Sequence, residues 1–170
     1  MFARPDNHIR ELTIEDVSGM IRRRIVHIAE ASAASQGWDI AGACYIDGPE
    51  TRELGQYELG GAYVSPEYRG FGIFRALATS AIVNHLVKDH PIANGEPLIA
   101  HVHDKNAWPR HTLEGLGFIL HAKDVAYAAD AIPGLGHMPR HEDGCIHADT
   151  YLFPPEQFLV AIQDDVTPET

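Results

Sequence analysis

The chain has 170 residues, of which 45% are hydrophobic and 22% charged, a composition typical of a globular protein with a substantial core. Its formal net charge of -11 argues against nucleic acid as a partner, because phosphate backbones require a basic surface. The apolar runs are too short to span a bilayer and the opening residues lack the apolar core of a signal peptide. We therefore expect a single domain over residues 1–170, no membrane partner and a cytoplasmic location.

The N-terminal part predicts a strand, a helix and a second strand. Residues 8–13 alternate enough for a strand, and Thr13 followed by Asp16 three residues later is typical of a capped helix start. The apolar run Ile25–Ala31 could continue this helix or form a strand, since short apolar runs do not decide between the two. We favour a strand that follows a break near Arg24.

The middle of the chain predicts a hairpin that leads into a glycine-rich loop and a helix. Ile40–Asp47 and Gln56–Val64 are strand-like and are separated by a Gly/Pro-rich turn, which is typical of an antiparallel pair. Pro66 should end the second strand because it has no N–H, and Gly70 and Gly72 allow the backbone to turn. Helical spacing then places one apolar face on Phe74, Leu77, Ala78, Ala81, Ile82 and Leu86.

The start of this helix is a candidate anion site. Its first backbone N–H groups have no intrahelical acceptor and carry the positive end of the helix dipole, so they can bind a phosphate. Arg69 and Arg75 add positive charge nearby. A Walker loop requires Gly-Lys-Ser/Thr, which the sequence lacks, and a dinucleotide fingerprint requires a third glycine where Arg75 stands.

The C-terminal half predicts three more strands and one more helix. Leu98–His103 is strand-like, and the helix after it should end at Gly117, which would serve as the C′ residue and direct Phe118 into the core. Ile119–Tyr127 and Cys145–Phe153 are the two remaining strand candidates.

Two stretches resemble the signatures of the GNAT-type N-acetyltransferases. The first is Val64-Ser65-Pro66-Glu67-Tyr68-Arg69-Gly70-Phe71-Gly72-Ile73, which matches the pattern Val-x-Pro-x-x-Arg-Gly-x-Gly-Ile. The second is Asn106 followed, at the spacing that the family uses, by a helix closing in Leu116-Gly117-Phe118. The resemblance implies an α/β (α+β) fold, GNAT-like, with a mixed, mostly antiparallel central sheet of about six to seven strands flanked by helices.

The same resemblance implies an N-acetyltransferase that moves an acetyl group from acetyl-CoA to a primary amine, on a small molecule or a peptide, by direct transfer in a ternary complex. The alternative is a catalytically weak or inactive GNAT-like domain that binds acyl-CoA for regulation. Two departures motivate that alternative: Leu113 stands at the usual tyrosine position, and Phe74 stands where the loop usually ends in Gly or Ala. The acceptor, the acyl length and the oligomeric state stay open, with a homodimer among the alternatives.

The resemblance also implies which residues bind the donor. The loop amides are expected to bind the coenzyme pyrophosphate, and the backbone N–H near Val64 the thioester carbonyl oxygen. The donor-binding residues are then Tyr63, Val64, Arg69, Gly70, Phe71, Gly72, Ile73, Phe74 and Asn106.

Acetyl transfer needs a polarised thioester carbonyl, a deprotonated amine and a proton for the leaving thiolate. The candidate bases are Glu58 and the histidines His101 and His103, which share one face of a strand. His111 and Tyr68 are the candidate substitutes for the missing tyrosine. For each histidine a purely structural role is the alternative, and a solvent-mediated route needs no dedicated base.

Cysteine and histidine could indicate a metal site. His137, His141, Cys145 and His147 are of types that zinc accepts, but they follow a Pro/Gly-rich loop and have no defined geometry. We expect a solvated, His-rich loop at the acceptor entrance and no metal. Cys44 and Cys145 suit a reducing compartment and are expected to be buried thiols.

Overall fold

A computed structural model describes residues 14–23, 25–33, 37–48, 56–86, 96–128 and 138–154. The predicted strand at residues 8–13, the Thr13 cap and His137 lie outside this part of the chain. The elements are α1 (Ile14–Arg23), β1 (Val26–Ala33), β2 (Gly37–Asp47), β3 (Tyr57–Val64), a 3₁₀ helix (Pro66–Tyr68), α2 (Ile73–Leu86), β4 (Leu98–His103), α3 (Trp108–Gly115), β5 (Ile119–Ala128) and β6 (Cys145–Phe153). Of the helices in the described ranges, none has both the length and the apolar character needed to cross a membrane.

The strands form one six-stranded sheet in the order β1-β2-β3-β4-β6-β5. All neighbours are antiparallel except β3 and β4, which confirms the predicted mixed, mostly antiparallel sheet. The ambiguous run Ile25–Ala31 lies mainly in strand β1, as favoured above, because it pairs with β2. Strand β2 begins at Gly37 rather than at the predicted Ile40, since the Ala33–Gly37 pair extends the ladder to the end of β1.

The parallel ladder between β3 and β4 is only two pairs long. Tyr57 pairs with Leu98, and Glu58 pairs with Ile99. Beyond these pairs the described parts of the two strands have no ladder with each other, so an opening separates their C-terminal halves. We call this opening the strand gap.

A bulge in β3 lies beside the strand gap. Between the pairs Tyr45–Gly60 and Ala43–Tyr63, strand β3 advances three residues while β2 advances two. Gly61 lies within this segment and has a φ of 62°, a conformation that favours glycine. Because a bulge bends its strand, this one turns the end of β3 relative to the sheet.

Helix α2 packs directly on strand β2. A Cβ placed at Gly42 would lie 2.8 Å from the Tyr63 carbonyl oxygen and 3.0 Å from Ile73 Cγ2, so glycine is needed for this close approach. The predicted apolar face of α2 is confirmed at Phe74, Leu77, Ala78, Ala81 and Ile82, which are all buried in the core. The core therefore fixes the first turn of α2 above the sheet.

Helix α3 ends as predicted. The Phe118 N–H donates to the Leu113 carbonyl and the Gly117 N–H to the Glu114 carbonyl, each at 3.0 Å, which is a Schellman motif. Gly117 has a φ of 91°, and Phe118 is buried. The glycine thus ends the helix and directs the phenylalanine into the core.

The prediction of two buried thiols holds for one cysteine only. Cys44 is fully buried in β2, and burial raises its pKa to about 12. Cys145 is partly exposed and begins β6, where it pairs with Ala128 at the end of the β5–β6 hairpin nearest the connection between the two strands. Both cysteines are free thiols.

Candidate active site

The turn between β3 and α2 is built on a proline and two glycines. Pro66 opens the 3₁₀ helix, and the Tyr68 N–H donates to the Ser65 carbonyl at 2.9 Å. Gly70 and Gly72 have φ values of 86° and 73°, while a Cβ at either would meet no atom within 4 Å. Glycine is therefore required at both positions by the backbone conformation rather than by space.

The first turn of α2 presents free backbone donors beside this loop. The Ala76 N–H donates to the Gly72 carbonyl at 3.0 Å, so the amides of Ile73, Phe74 and Arg75 precede the helical ladder. With the helix dipole they form a site for an anion, which we call the amide cradle. Arg75 is exposed, whereas Arg69 donates from Nε to the Val64 carbonyl at 3.3 Å and braces the end of β3.

The two aromatic residues of the loop take opposite positions. Phe71 is exposed at the tip, between the two glycines. Phe74 is 4% exposed and belongs to the core, where its ring contacts Trp108 with the centroids 5.3 Å apart. The phenylalanine that replaces the usual Gly or Ala therefore points away from the amides rather than over them.

Glu58 and His101 meet at the closed end of the strand gap. Glu58 belongs to the last pair that joins β3 to β4, and His101 lies two residues beyond that pair on β4. Both point to the face of the sheet opposite α2, because Leu59 and Ala100 face the core. Glu58 Oε1 lies 3.2 Å from His101 Nδ1, and the two side chains are 9% and 14% exposed. A shielded carboxylate beside an imidazole can accept and hold a proton.

A second buried carboxylate lies next to Glu58 and has its own cation. Asp47 is the register partner of Glu58 across β2 and β3 and is also buried. Its Oδ1 lies 3.7 Å from Arg23 Nη2 of helix α1 and accepts a hydrogen bond from the Gly48 N–H at 3.2 Å. The positive charge of Arg23 therefore offsets the negative charge of Asp47 on this face of the sheet.

The β5–β6 hairpin brings two further residues to His101. The Tyr127 ring meets the imidazole edge-on, with centroids 5.3 Å apart and an interplanar angle of 80°. Its hydroxyl lies 3.2 Å from Thr150 Oγ1, and Thr150 is the register partner of His101. Strand β5 shifts register twice, and Asp124, which has a φ of 55°, lies within the second shift, between Ala122 and Val125. Tyr127 was not among the candidates predicted from the sequence, because no local residue pattern indicates that β5 brings it to His101.

His103 occupies a different environment from His101, although both lie on the same face. The Lys105 N–H donates to its Nδ1 at 3.2 Å, and its Nε2 lies 3.5 Å from the Pro139 carbonyl oxygen. The side chain is nearly inaccessible. Asn106 follows in the same turn, with its N–H donating to the His103 carbonyl at 2.9 Å. His103 therefore supports the turn that carries Asn106.

The other two catalytic candidates lie away from the Glu58–His101 pair. His111 is 95% exposed on α3, with its Nδ1 3.7 Å from Glu114 Oε2. Tyr68 is partly buried against the core on the α2 side of the sheet. Leu113, at the usual tyrosine position, is 2% exposed in the same core and offers no proton. Of the five catalytic candidates, Glu58 and His101 are therefore the two that contact each other in the described part of the chain.

His141 and His147, near the end of the β5–β6 hairpin, belong to a hydrogen-bonded group at the protein surface. His141 Nε2 lies 2.9 Å from Asp104 Oδ2, and its ring stacks on that of His147 with centroids 4.1 Å apart. His147 faces Asp124 Oδ1 at 2.7 Å through Nδ1 and Asp143 Oδ2 at 2.9 Å through Nε2. We call these five residues the histidine cluster.

Electrostatics within the histidine cluster favour charged side chains. Hydrogen bonds that the charged His147 ring donates to Asp143 and then to Asp124 raise the pKa of His147. The His147 bond lowers the pKa of Asp143. Burial alone would raise the pKa of Asp104, but His103 and His141 beside it hold the pKa below its ordinary value. Across the described ranges no three His, Cys, Asp or Glu side chains are arranged to hold a metal ion.

Three solved structures with the same fold are distant from this chain in sequence. The NatC complex bound to Gag peptide and CoA matches with a TM-score of 0.57 and 16% identity, over 85% of this chain and 81% of that chain. A chimera of spermidine N-acetyltransferase SpeG from Vibrio cholerae and hSSAT matches with a TM-score of 0.56 and 15% identity, over 91% of this chain and 87% of that chain. Mutant forms of the spermidine/spermine N-acetyltransferase SpeG from Vibrio cholerae match with a TM-score of 0.53 and 17% identity, over 87% of this chain and 75% of that chain.

No protein-family model and no curated protein sequence matches the chain. The structural matches establish the fold, which is that of the GNAT-type acetyltransferases, as the two sequence signatures predicted.

Proposed function

We propose that this chain, which has the GNAT fold, transfers an acetyl group from acetyl-CoA to a primary amine of a small molecule or a peptide. One observation carries the proposal: the amide cradle and the Glu58–His101 pair lie at opposite ends of the strand gap. An elongated donor can therefore place its phosphates on the cradle while its thioester reaches towards the pair.

The donor would be held by backbone groups more than by side chains. The loop amides and the first turn of α2 would bind the pyrophosphate, and the end of β3 would bind the thioester carbonyl oxygen. Asn106, in the turn after β4, would line the opposite wall of the gap. The residues in this role are Tyr63, Val64, Arg69, Gly70, Phe71, Gly72, Ile73, Phe74 and Asn106.

The chemistry would follow direct transfer in a ternary complex. His101, oriented by Glu58, accepts a proton from the ammonium group of the acceptor. The free amine attacks the thioester carbonyl carbon, so that a C–N bond forms and the C–S bond breaks. The attacking nitrogen loses a second proton as the amide forms, and because Leu113 cannot supply a proton, this one reaches the leaving thiolate through water.

Burial of Leu113 also supports the second candidate function, a GNAT-like domain that binds acyl-CoA without turnover. Calorimetric titration with acetyl-CoA tests what the two share, and undetectable binding at millimolar ligand would exclude both. Release of free thiol in the presence of a panel of amines then separates them. Release with any amine supports the transferase, whereas binding without release across the panel supports the regulatory domain.

A further inference from the structure

The Tyr127 ring restricts the orientation of the His101 imidazole. The two rings meet at an interplanar angle of 80°, with their centroids 5.3 Å apart. The His101 side chain is 14% exposed, and its Nδ1 lies 3.2 Å from Glu58 Oε1. Because one ring nitrogen faces a carboxylate and an aromatic ring packs against the imidazole, rotation of the His101 ring would have to displace Tyr127.

The Tyr127 side chain reaches across a whole strand to make this contact. In the sheet, β6 lies between β5, which carries Tyr127, and β4, which carries His101. The Tyr127 hydroxyl lies 3.2 Å from Thr150 Oγ1 on β6, and Thr150 is 9% exposed. Since Thr150 is the register partner of His101, the hydrogen bond ties the tyrosine to the point in the sheet where the histidine lies.

A buried ion pair fixes the part of β5 that leads to Tyr127. Asp124 lies within the second register shift of β5 and has a φ of 55°, a conformation uncommon for residues other than glycine. Its N–H donates to Asp149 Oδ1 at 3.0 Å. Asp149 is 4% exposed, and its Oδ2 lies 3.1 Å from Arg110 Nη2 of α3. The irregular segment that precedes Tyr127 is therefore anchored to β6 and α3.

We propose that Tyr127 is a positioning residue for His101 in acetyl transfer, which keeps Nδ1 on Glu58 and directs Nε2 to the acceptor amine. This rests on the proposed function, in which His101 accepts a proton from the acceptor ammonium. That proton passes from the ammonium nitrogen to Nε2, while the proton on Nδ1 stays between His101 and Glu58. A base that is turned away from its substrate loses much of its effect, because proton transfer requires hydrogen-bond distance. Tyr127 itself gains and loses no proton.

Turnover of variants tests this role. Tyr127→Leu should lower kcat about tenfold and change the KM for acetyl-CoA less than about twofold, because the ring acts on the base and not on the donor. Tyr127→Phe and Thr150→Val remove the same hydrogen bond and should each lower kcat about threefold. The control is Leu120→Ala, at a residue of the same strand that is 45% exposed, with an expected change in kcat of less than about twofold.

A second comparison separates positioning of His101 from general support of the fold. In the His101→Asn background, Tyr127→Leu should lower the remaining kcat less than about twofold, because the residue on which Tyr127 acts is gone. A merely structural role would lower kcat equally in both backgrounds. Tyr127→Phe and Thr150→Val nearly conserve side-chain volume, and they serve for the same comparison if Tyr127→Leu does not fold.

Proton NMR of the histidine rings tests the contact without turnover. The chain has 11 histidines, and the signal that is missing from His101→Asn identifies the His101 ring. An aromatic ring shifts the resonances of protons close to it, so Tyr127→Leu should move this signal while Tyr127→Phe leaves it near its position. The signal of His111, which is 95% exposed on α3, should stay in place in both variants.

Three results would overturn the inference while leaving the proposed function intact: equal losses of kcat from Tyr127→Leu with and without His101, an unmoved His101 signal in Tyr127→Leu, or full activity in both Tyr127→Phe and Thr150→Val. Absence of thiol release from the unsubstituted chain with every amine of the panel would instead overturn the proposed function, and the inference with it.

Discussion

The ring of Tyr45 lies against the backbone of Gly61. A Cβ at position 61 would be 2.2 Å from Tyr45 Cε1 and 2.6 Å from Cδ1, closer than two carbons can approach. Tyr45 is buried and is the register partner of Gly60, so its ring packs against the bulge of β3. The shape of the strand beside the strand gap thus depends on a glycine in one strand and a tyrosine in the next.

Gly61→Ala should destabilise the fold by about 2–4 kcal/mol, because it adds a clash with Tyr45 to a left-handed backbone conformation. Urea denaturation of the variant measures this loss. The matched control is Gly19→Ala in helix α1, where a Cβ would meet nothing within 4 Å. That change should stabilise the protein by about 0.5–1 kcal/mol. Equal denaturation midpoints for the two variants would contradict this account.

Glu58→Gln and His101→Asn should each lower the turnover number for acetyl transfer about a hundredfold, because a general base typically contributes a rate enhancement of about that size. Affinity for acetyl-CoA should change less than about twofold, because neither residue belongs to the amide cradle. The double variant should be no slower than the worse single variant, since the residues act as one unit. His111→Asn is the control on an exposed histidine, and an equal loss in that variant would refute the assignment.

Thiol labelling of the native protein should modify Cys145 and spare Cys44. The thiolate is the reactive form, and burial raises the pKa of Cys44 to about 12 while also blocking access to it. Titration with an aromatic disulfide reagent should release one equivalent from the native chain and two after denaturation. Two equivalents released rapidly from the native chain would show that β2 is not packed as described.

The histidine cluster should make stability depend on pH. The pKa of His147 is raised above its ordinary value of 6.5, so its contribution is fully present below that pH and is lost as the pH rises through the raised value. The pKa values of Asp104 and Asp143 are lowered from 3.8, so their contributions are present above that pH and are lost as the pH falls. The cluster therefore stabilises the fold most between these two limits.

Melting temperatures of the unsubstituted chain and of His147→Gln test this dependence. The difference between them should be largest near pH 5–6 and should shrink as the pH rises towards 9. His111→Gln, at a histidine with 95% exposure, should show a small difference that does not follow this course. A His147→Gln difference that stays constant from pH 5 to 9 would mean that the ring is not charged in the cluster.

Much of the fold was predictable because its signals are local. A proline and two left-handed glycines define the loop before α2, and Gly117 ends α3 through two hydrogen bonds to the preceding turn. Periodicity identified the buried face of α2. The ends of elements were less predictable: β2 starts at Gly37 because a neighbouring strand extends it, and the pattern within β2 itself does not show this.

The sequence identified residues of the candidate site, but it did not show which of them contact each other. Glu58 and His101 were both candidates, but their contact depends on the register of β3 against β4, which no residue pattern encodes. Tyr127 reaches His101 through the shifts and bend of β5 near Asp124. His103 looked equivalent to His101 by strand period, but its ring faces the Lys105 N–H and the Pro139 carbonyl, whereas that of His101 faces Glu58 and Tyr127.

The two-pair ladder between β3 and β4 divides the sheet into halves that are each continuous in the chain, residues 26–64 and 98–153. Glu58 belongs to one half and His101 to the other, whereas the amide cradle follows directly in the chain from β3 of the first half. The acid–base pair exists only when the halves are correctly assembled. A small separation along this seam would part Glu58 from His101 while the loop and the first turn of α2 remain joined to β3. Loss of turnover is therefore a more sensitive measure than loss of donor binding of how the two halves are joined.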